Sequence, residues 1–201
     1  EDDRRLIVPD LDLQTAVFDQ RHVLRWSSDG RYLVAGGDTL FLWDSATDKV
    51  VPLPGIQGSH IQFAEWSPGG DYLIGAWAST ETVFIWSTMS MPNPVELDLG
   101  ANAEGGRFWT NRLDDRLEAL VLGSDGITRR FTLTGQLIEA IIAPTVRGVS
   151  AGLTMNETED RLLAYLDSGE GYLWSQGDAQ AAPLSWRHVG AITQAAWNGP
   201  Y

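Results

Sequence analysis

The chain has 201 residues, of which 43% are apolar and 20% charged, and it contains no cysteine. This composition allows a sizeable core and excludes a disordered polymer, disulfides and thiolate metal sites. Lys and Arg number 14 against 27 Asp and Glu, so the formal net charge of −13 disfavours binding to nucleic acids or to anionic lipid surfaces. No stretch reaches the roughly 18 apolar residues of a membrane helix, so we expect no membrane insertion. The composition leaves the compartment open, with the cytoplasm slightly favoured.

Along the chain, short apolar runs alternate with turn residues. An apolar run at 5–11 opens the sequence, and residues 60–87 then contain three more, at 61–66, 72–78 and 82–86. The first two of these three are separated by S-P-G-G-D, which is typical of a tight turn. The runs at 72–78 and 82–86 are apolar at consecutive positions, which a strand tolerates when both of its faces are covered. Residues 60–87 therefore predict three antiparallel strands.

This pattern returns at a nearly constant interval. The end of the first strand recurs after 40, 43, 44 and 44 residues, at Trp26, Trp66, Trp109, Leu153 and Trp197. The end of the third strand recurs after 43, 45 and 43 residues, at Trp43, Trp86, Phe131 and Trp174. A period of about 40–45 residues with short strands is typical of β-propeller blades. Most of the nine tryptophans fall at these positions, so we expect them to pack neighbouring blades together.

Two segments carry a family resemblance. W-S-S-D-G-R-Y-L at 26–33 and L-F-L-W-D at 40–44 resemble the turn and the Trp-Asp strand of a WD-repeat blade, in a divergent, bacterial-type form. The resemblance extends over nearly the whole chain, and it implies that residues 5–11 supply the outer strand of the last blade. The Gly-His of many such repeats is missing, and only Trp43 is followed by Asp. We therefore expect the blades to depend on apolar packing more than on a repeated polar network.

The repeat gives an all-β chain, a β-propeller of four-stranded antiparallel blades with four complete blades and parts of a fifth. The blades span about 21–54, 60–99, 106–143 and 148–188, and residues 190–201 begin a further blade. Closed propellers have about four to eight blades. The count therefore predicts either a piece of a larger ring or a partial ring that another chain completes.

One catalytic motif is present. Residues 148–152 read G-V-S-A-G, which fits a nucleophile elbow, and Asp167 and His188 follow in the order used by α/β-hydrolases. The elbow needs a strand, a turn and then a helix, but residues 153–160, L-T-M-N-E-T-E-D, make a polar turn with no apolar helical periodicity. We therefore predict no catalytic triad and no enzymatic activity.

No other motif indicates a cofactor or a nucleic-acid site. His22, His60 and His188 lie far apart without the spacing of metal ligands, so we expect neither a metal nor another cofactor. The basic pairs at 4–5 and 129–130 are interpreted as solvated edges.

The favoured interpretation is a non-catalytic scaffold that presents one face of the propeller to a partner protein. By resemblance, this face carries the loops before the first strand of each blade and between its second and third strands. The candidate binding residues in these loops are His22, Asp38, His60, Glu81, Arg107, Asp125, Arg147, Asp167 and Glu170. Because most are acidic, they favour a basic peptide or domain. The alternatives are a regulatory or sensor propeller of a larger multidomain enzyme, and a structural subunit that assembles through open blade edges.

Overall fold

The computed structural model describes residues 23–56, 59–111, 114–141, 150–156, 160–178 and 180–184. These residues form sixteen strands and no helix, so the predicted all-β class is confirmed. No helix in this part of the chain is therefore long and apolar enough to span a bilayer. The strand predicted at 5–11 and the further blade predicted at 190–201 lie outside the described residues.

The strands form four sheets of four, each an antiparallel meander in chain order. Sheet 1 contains β1 Val23–Trp26, β2 Tyr32–Gly36, β3 Leu40–Asp44 and β4 Lys49–Leu53. Sheet 2 contains β5 Ile61–Trp66, β6 Tyr72–Trp77, β7 Thr82–Ser87 and β8 Pro94–Asp98. Sheet 3 contains β9 Ala103–Asn111, β10 Arg116–Gly123, β11 Thr128–Thr132 and β12 Leu137–Ile141. Sheet 4 contains β13 Ser150–Met155, β14 Arg161–Leu166, β15 Gly171–Ser175 and β16 Ala182–Pro183.

One strand is clearly longer than the sequence predicts. The third blade is predicted to begin at about residue 106, whereas its first strand, β9, begins at Ala103. The extra residues include Gly105 and Gly106, which carry no apolar signal. A Cβ atom at Gly106 would lie 2.4 Å from Cε2 of Phe63 in sheet 2, so the glycine allows sheets 2 and 3 to approach closely.

The sheets stand side by side, with the first strand of each against the first strand of the next: β1 contacts β5, β5 contacts β9, and β9 contacts β13. We call the side of a sheet that points to the next sheet its forward face, and the opposite side its rear face. Three apolar clusters fill the three spaces between sheets. Leu73 and Ile74, neighbours on β6, are both fully buried, which confirms that this strand is covered on both faces.

The described sheets do not close into a ring. None of the other described sheets lies against the rear face of sheet 1, where Leu24 and Trp26 are exposed. At the other end of the row, Leu163 and Leu173 on the forward face of sheet 4 are only half-buried.

The predicted equivalence of Trp109 with Trp26 and Trp66 is wrong by one residue. Trp26 pairs with Leu33 in sheet 1, and Trp66 pairs with Leu73 in sheet 2. The residue of sheet 3 that corresponds to Leu33 and Leu73 is Leu117, and it pairs with Thr110 and not with Trp109. Because side chains alternate along a strand, a shift of one residue reverses the face. Trp109 accordingly belongs to the cluster between sheets 3 and 4.

On the rear face of sheet 3, Phe108 fills the space that Trp66 fills in sheet 2. Its ring lies 6.3 Å from that of Tyr72 in sheet 2, centroid to centroid. The landmark predicted at Leu153 is displaced as well, since Met155 is the residue of β13 that pairs with Leu162.

A buried polar side chain recurs at the hairpin between the first and second strands. The Oγ atoms of Ser27 and Ser67 accept hydrogen bonds from the N–H groups of Tyr32 and Tyr72, at 2.9 and 3.0 Å. In sheet 4, Oδ1 of Asn156 accepts from the N–H of Arg161 at 2.9 Å. This contact is a polar element that recurs in sheets 1, 2 and 4, and the sequence did not predict it.

Candidate functional site

Hydrogen bonds join neighbouring sheets at one end, the end of each sheet at which its first strand begins. The N–H of Ile61 donates to the carbonyl of Gly37 at 3.0 Å, joining sheet 2 to a turn of sheet 1. The N–H of Ala103 donates to the carbonyl of Thr80 at 2.9 Å, joining sheet 3 to sheet 2 in the same way. We call the surface formed by these ends the upper face, and the opposite surface the lower face.

Sheets 3 and 4 are joined at the upper face by a side chain. The hydroxyl of Tyr172 donates to the carbonyl of Gly126 at 3.1 Å and shares a hydrogen bond of 2.8 Å with the hydroxyl of Thr128. Burial of the phenol raises the pKa of Tyr172 to about 12, so the group stays protonated and able to donate. The turns of all four sheets therefore belong to one surface.

The structure places most of the predicted binding residues on the upper face. Five carboxylates lie in the turns between the second and third strands of their sheets: Asp38, Glu81, Asp125, Asp167 and Glu170. His60 lies immediately before β5, at the same end of sheet 2. Asp38, His60, Glu81, Asp125 and Asp167 are exposed, and Glu170 is half-buried. The upper face is therefore acidic over all four sheets.

Three predicted residues do not join this group. Arg107 lies inside β9, where it pairs with Leu120, because the strand already begins at Ala103. It is half-buried in the sheet and is not a loop residue. His22 and Arg147 lie outside the described residues.

Asp125 forms a bidentate ion pair with Arg129. Nη1 and Nη2 of Arg129 donate to Oδ1 and Oδ2 of Asp125 at 3.1 and 2.6 Å. Partial burial acts to raise the pKa of Asp125, but the hydrogen bonds from Arg129 and from the N–H of Ile127 outweigh it and lower the pKa below its ordinary value. A Cβ atom at Gly123 would lie 2.5 Å from Oδ1 of Asp125, so glycine leaves room for the pair. Arg129 is thus an ion-pair partner on the upper face and not the solvated edge we expected.

Arg130, the next residue, points to the other side of the strand and enters the space between sheets 3 and 4. Its Nε and Nη2 lie 3.0 and 2.9 Å from Oε2 of the buried Glu118, and its Nη1 donates to Glu139. The guanidinium carbon lies 4.7 Å from the ring centroid of Trp109, a cation–π contact. The prediction of a solvated edge is therefore wrong for Arg130 too.

Amide side chains extend this polar cluster to sheet 4. Nδ2 of Asn111 donates to Oε1 of Glu118 at 3.1 Å, and Nε2 of Gln176 donates to Oδ1 of Asn111 at 2.8 Å. A cavity of about 240 Å³ adjoins the cluster and is lined by Trp109, Asn111, Arg130, Glu139, Trp174, Gln176, Gly177 and Asp178. The cluster lies toward the lower face and joins sheets 3 and 4. Its polar groups bond one another, which indicates a structural role.

The hydrolase-like motif has the wrong local structure for a nucleophile elbow. Its described part, Ser150 to Gly152, lies on β13, which pairs with the antiparallel strand β14, and the described residues between these two strands form no helix. His188 lies outside the described residues. Among the described residues, no group of three or more His, Cys, Asp or Glu side chains is placed to hold a metal ion.

Comparison with models of known protein families finds none that matches this chain, and no curated protein matches its sequence. The functional argument therefore depends on the fold and on the chemistry of its surfaces.

Proposed function

We propose that this chain is a β-propeller segment of the WD-repeat kind, and that its upper face binds a partner protein. Four consecutive sheets of four strands, packed side by side with their first strands adjacent, support the propeller assignment. The observation that carries the binding proposal is the alignment of the upper-face turns by hydrogen bonds between sheets. These bonds hold turns from different repeats in one rigid surface, as a binding platform requires.

The charge of the upper face indicates the chemistry of the partner. Exposed carboxylates occur in the second-to-third-strand turns of all four sheets, and the whole chain carries a formal charge of −13. Arg129 on this face is already paired with Asp125. A peptide or domain rich in Lys and Arg would meet complementary potential across several turns, which accelerates association and favours it over acidic competitors.

The proposed role is binding without catalysis. The one catalytic motif in the sequence lies partly on a strand that continues into an antiparallel hairpin. Such a strand lacks the exposed turn at which a nucleophile elbow presents its serine.

Two turn residues of sheet 2 allow a matched test. Glu81 is exposed in the turn after β6 on the upper face, and Asp71 is exposed immediately before β6 on the lower face. The probe is a panel of arginine- and lysine-rich peptides with acidic peptides of equal length, and dissociation constants are measured by fluorescence anisotropy at low and physiological salt. We expect the basic peptides to bind, Glu81→Lys to weaken binding several-fold, and Asp71→Lys to change it little. Equal effects of the two reversals, or equal binding of acidic peptides, would contradict the proposal.

A further inference from the structure

Arg129 occupies a position of the repeat that carries an aromatic ring in the other three sheets. It lies two places before Phe131, the recurring aromatic residue near the end of the third strand. The residues at the same place in sheets 1, 2 and 4 are Phe41, Phe84 and Tyr172. They pair across the sheet with small residues of the second strand, namely Ala35, Gly75 and Ala164. The cation is therefore a departure of sheet 3 from the repeat, which indicates a role specific to this sheet.

The guanidinium of Arg129 is held on Asp125 before any partner binds. The Arg129 side chain is only 16% exposed and donates to both oxygens of the carboxylate. The N–H of Ile127 also donates to Asp125, at 3.1 Å, and the hydroxyl of Tyr172 in sheet 4 donates to the carbonyl of Gly126 in the same turn. Because a bidentate pair of this kind is among the stronger hydrogen-bonded contacts, a basic side chain of a partner would have to displace Arg129 to reach Asp125.

The turns of sheets 1 and 2 present carboxylates without such a cation. Asp38 and Glu81 are exposed, and neither forms an ion pair with another described residue. The carbonyl of Asp38 accepts a hydrogen bond of 2.8 Å from Nε1 of Trp77 in sheet 2. The carbonyl of Glu81 accepts one of 2.9 Å from the N–H of Leu99. Both turns are thus fixed in place with their negative charge uncompensated, whereas the charge of Asp125 is neutralised.

We propose that Arg129 is a specificity-determining residue that closes the turn of sheet 3 to a basic partner, so that the partner's Lys and Arg side chains bind at the turns of sheets 1 and 2. This inference rests on the proposed function, because it takes the upper face to bind a basic peptide or domain. Neutralising Asp125 removes the attraction at sheet 3, and a second cation brought close to Arg129 is repelled. A partner with its basic residues concentrated over sheets 1 and 2 is therefore preferred.

The test is a charge cycle on Arg129 and Asp125, in which fluorescence anisotropy at physiological salt gives the dissociation constant of an arginine-rich peptide. Arg129→Gln frees the carboxylate of Asp125 and should tighten binding about threefold, the worth of one exposed ion pair. Asp125→Asn leaves Arg129 uncompensated and should weaken binding by a similar factor. The double variant has neither charge, so its dissociation constant should lie within about twofold of that of the unaltered chain. A direct contact between Asp125 and the peptide would instead leave the double variant as weak as Asp125→Asn.

A matched pair at the lower face controls for net charge. Arg31 donates to both carboxylate oxygens of Asp44 at 3.2 and 3.1 Å. The five residues of β2 separate this pair from the upper face by about 16 Å, or about two Debye lengths at physiological salt. Arg31→Gln changes the net charge as much as Arg129→Gln does, and it should leave peptide binding unchanged. Circular dichroism verifies that each variant is folded. Arg129→Phe gives sheet 3 the ring of the other sheets, and it should tighten binding as Arg129→Gln does.

Three results would overturn the inference: binding that Arg129→Gln and Arg129→Phe fail to tighten, an equal gain from Arg31→Gln, or a double variant as weak as Asp125→Asn. Each leaves the proposed function standing if Glu81→Lys still weakens binding of the basic peptide. If no basic peptide binds the unaltered chain, the proposed function fails and this inference fails with it, so the two failures are distinguishable.

Discussion

Trp66 lies almost flat on Tyr32 across the space between sheets 1 and 2, with ring centroids 6.1 Å apart and planes inclined by 22°. Its Nε1 also donates to the carbonyl of Arg25, 3.1 Å away in sheet 1. One side chain thus provides apolar contact area and a satisfied polar group at the junction of two repeats.

A double-mutant cycle on this pair should reveal the contact directly. We expect Trp66→Ala to lower the free energy of unfolding by about 3 kcal/mol, because it removes a large packed side chain. The coupling between Trp66→Ala and Tyr32→Ala should be about 1 kcal/mol, the typical worth of an aromatic pair beyond its buried area. Urea denaturation measures each variant. The control cycle combines Trp66→Ala with Met89→Ala, and coupling as large in this cycle as in the first would contradict the assignment.

Two buried tryptophans at equivalent positions differ in one hydrogen bond. Trp86 is 0% exposed and its Nε1 has no hydrogen-bond partner among the residues that the structure describes, whereas Nε1 of Trp174, 2% exposed, donates to the carbonyl of Asp178 at 3.1 Å. Phenylalanine removes the same atoms at both sites. We expect Trp86→Phe to be less destabilising than Trp174→Phe by about 1 kcal/mol, because only the second substitution loses a hydrogen bond. Urea denaturation compares the two, and a larger loss for Trp86→Phe would show that its indole nitrogen is satisfied in solution.

The sequence was sufficient to predict the strands but not which way every side chain faces. Apolar runs and Pro-Gly turns are local signals, so they placed four strands in each repeat. The face of Trp109 depends on the pairing register of β9 with β10, and a slip of one residue reverses it. Arg129 and Arg130 are adjacent, so their side chains lie on opposite faces of β11. Which of the two faces sheet 4 is also set by the pairing register.

The upper-face residues were predictable to the extent that topology fixes them. A turn between the second and third strands must lie at the end where the first strand begins, so Asp38 and Glu81 could be placed from the repeat alone. Arg107 could not, because Gly105 and Gly106 extend β9 without an apolar signal. The cluster around Arg130 also escaped prediction, since its partner Glu118 lies on the neighbouring strand and is identified only by register.

Asp44 should contribute to the acid sensitivity of sheet 1. Hydrogen bonds from Arg31, at 3.2 and 3.1 Å, lower the pKa of Asp44 from 3.8 to about 2, against a smaller opposing effect of desolvation. Because the folded-state pKa lies below the unfolded one, this contribution is present above the ordinary pKa and is lost as the pH falls toward 2.

We therefore expect Asp44→Asn to be less stable than the unaltered chain near neutral pH, and the difference to shrink between about pH 5 and pH 2. Thermal unfolding at a series of pH values measures it. Arg31→Gln should give the same narrowing, and adding it to Asp44→Asn should have no further pH-dependent effect. A difference that stays constant down to pH 2 would show that the ion pair does not form.

The buried pair of Glu118 and Arg130 should behave unlike an ion pair at the surface. Glu118 is 4% exposed, so Glu118→Leu leaves a largely buried guanidinium whose remaining ion-pair partner, among the described residues, is the partly exposed Glu139. We expect a loss of about 3 kcal/mol or more in the free energy of unfolding, and the double variant Glu118→Leu with Arg130→Met to be more stable than Glu118→Leu alone. Asp114→Ala, which removes the exposed partner of Arg116, should cost no more than about 1 kcal/mol. Urea denaturation measures the free energies of unfolding. If the double variant is the least stable, the prediction is wrong. The polar network then stabilises the interface between sheets 3 and 4 more than apolar side chains in its place would.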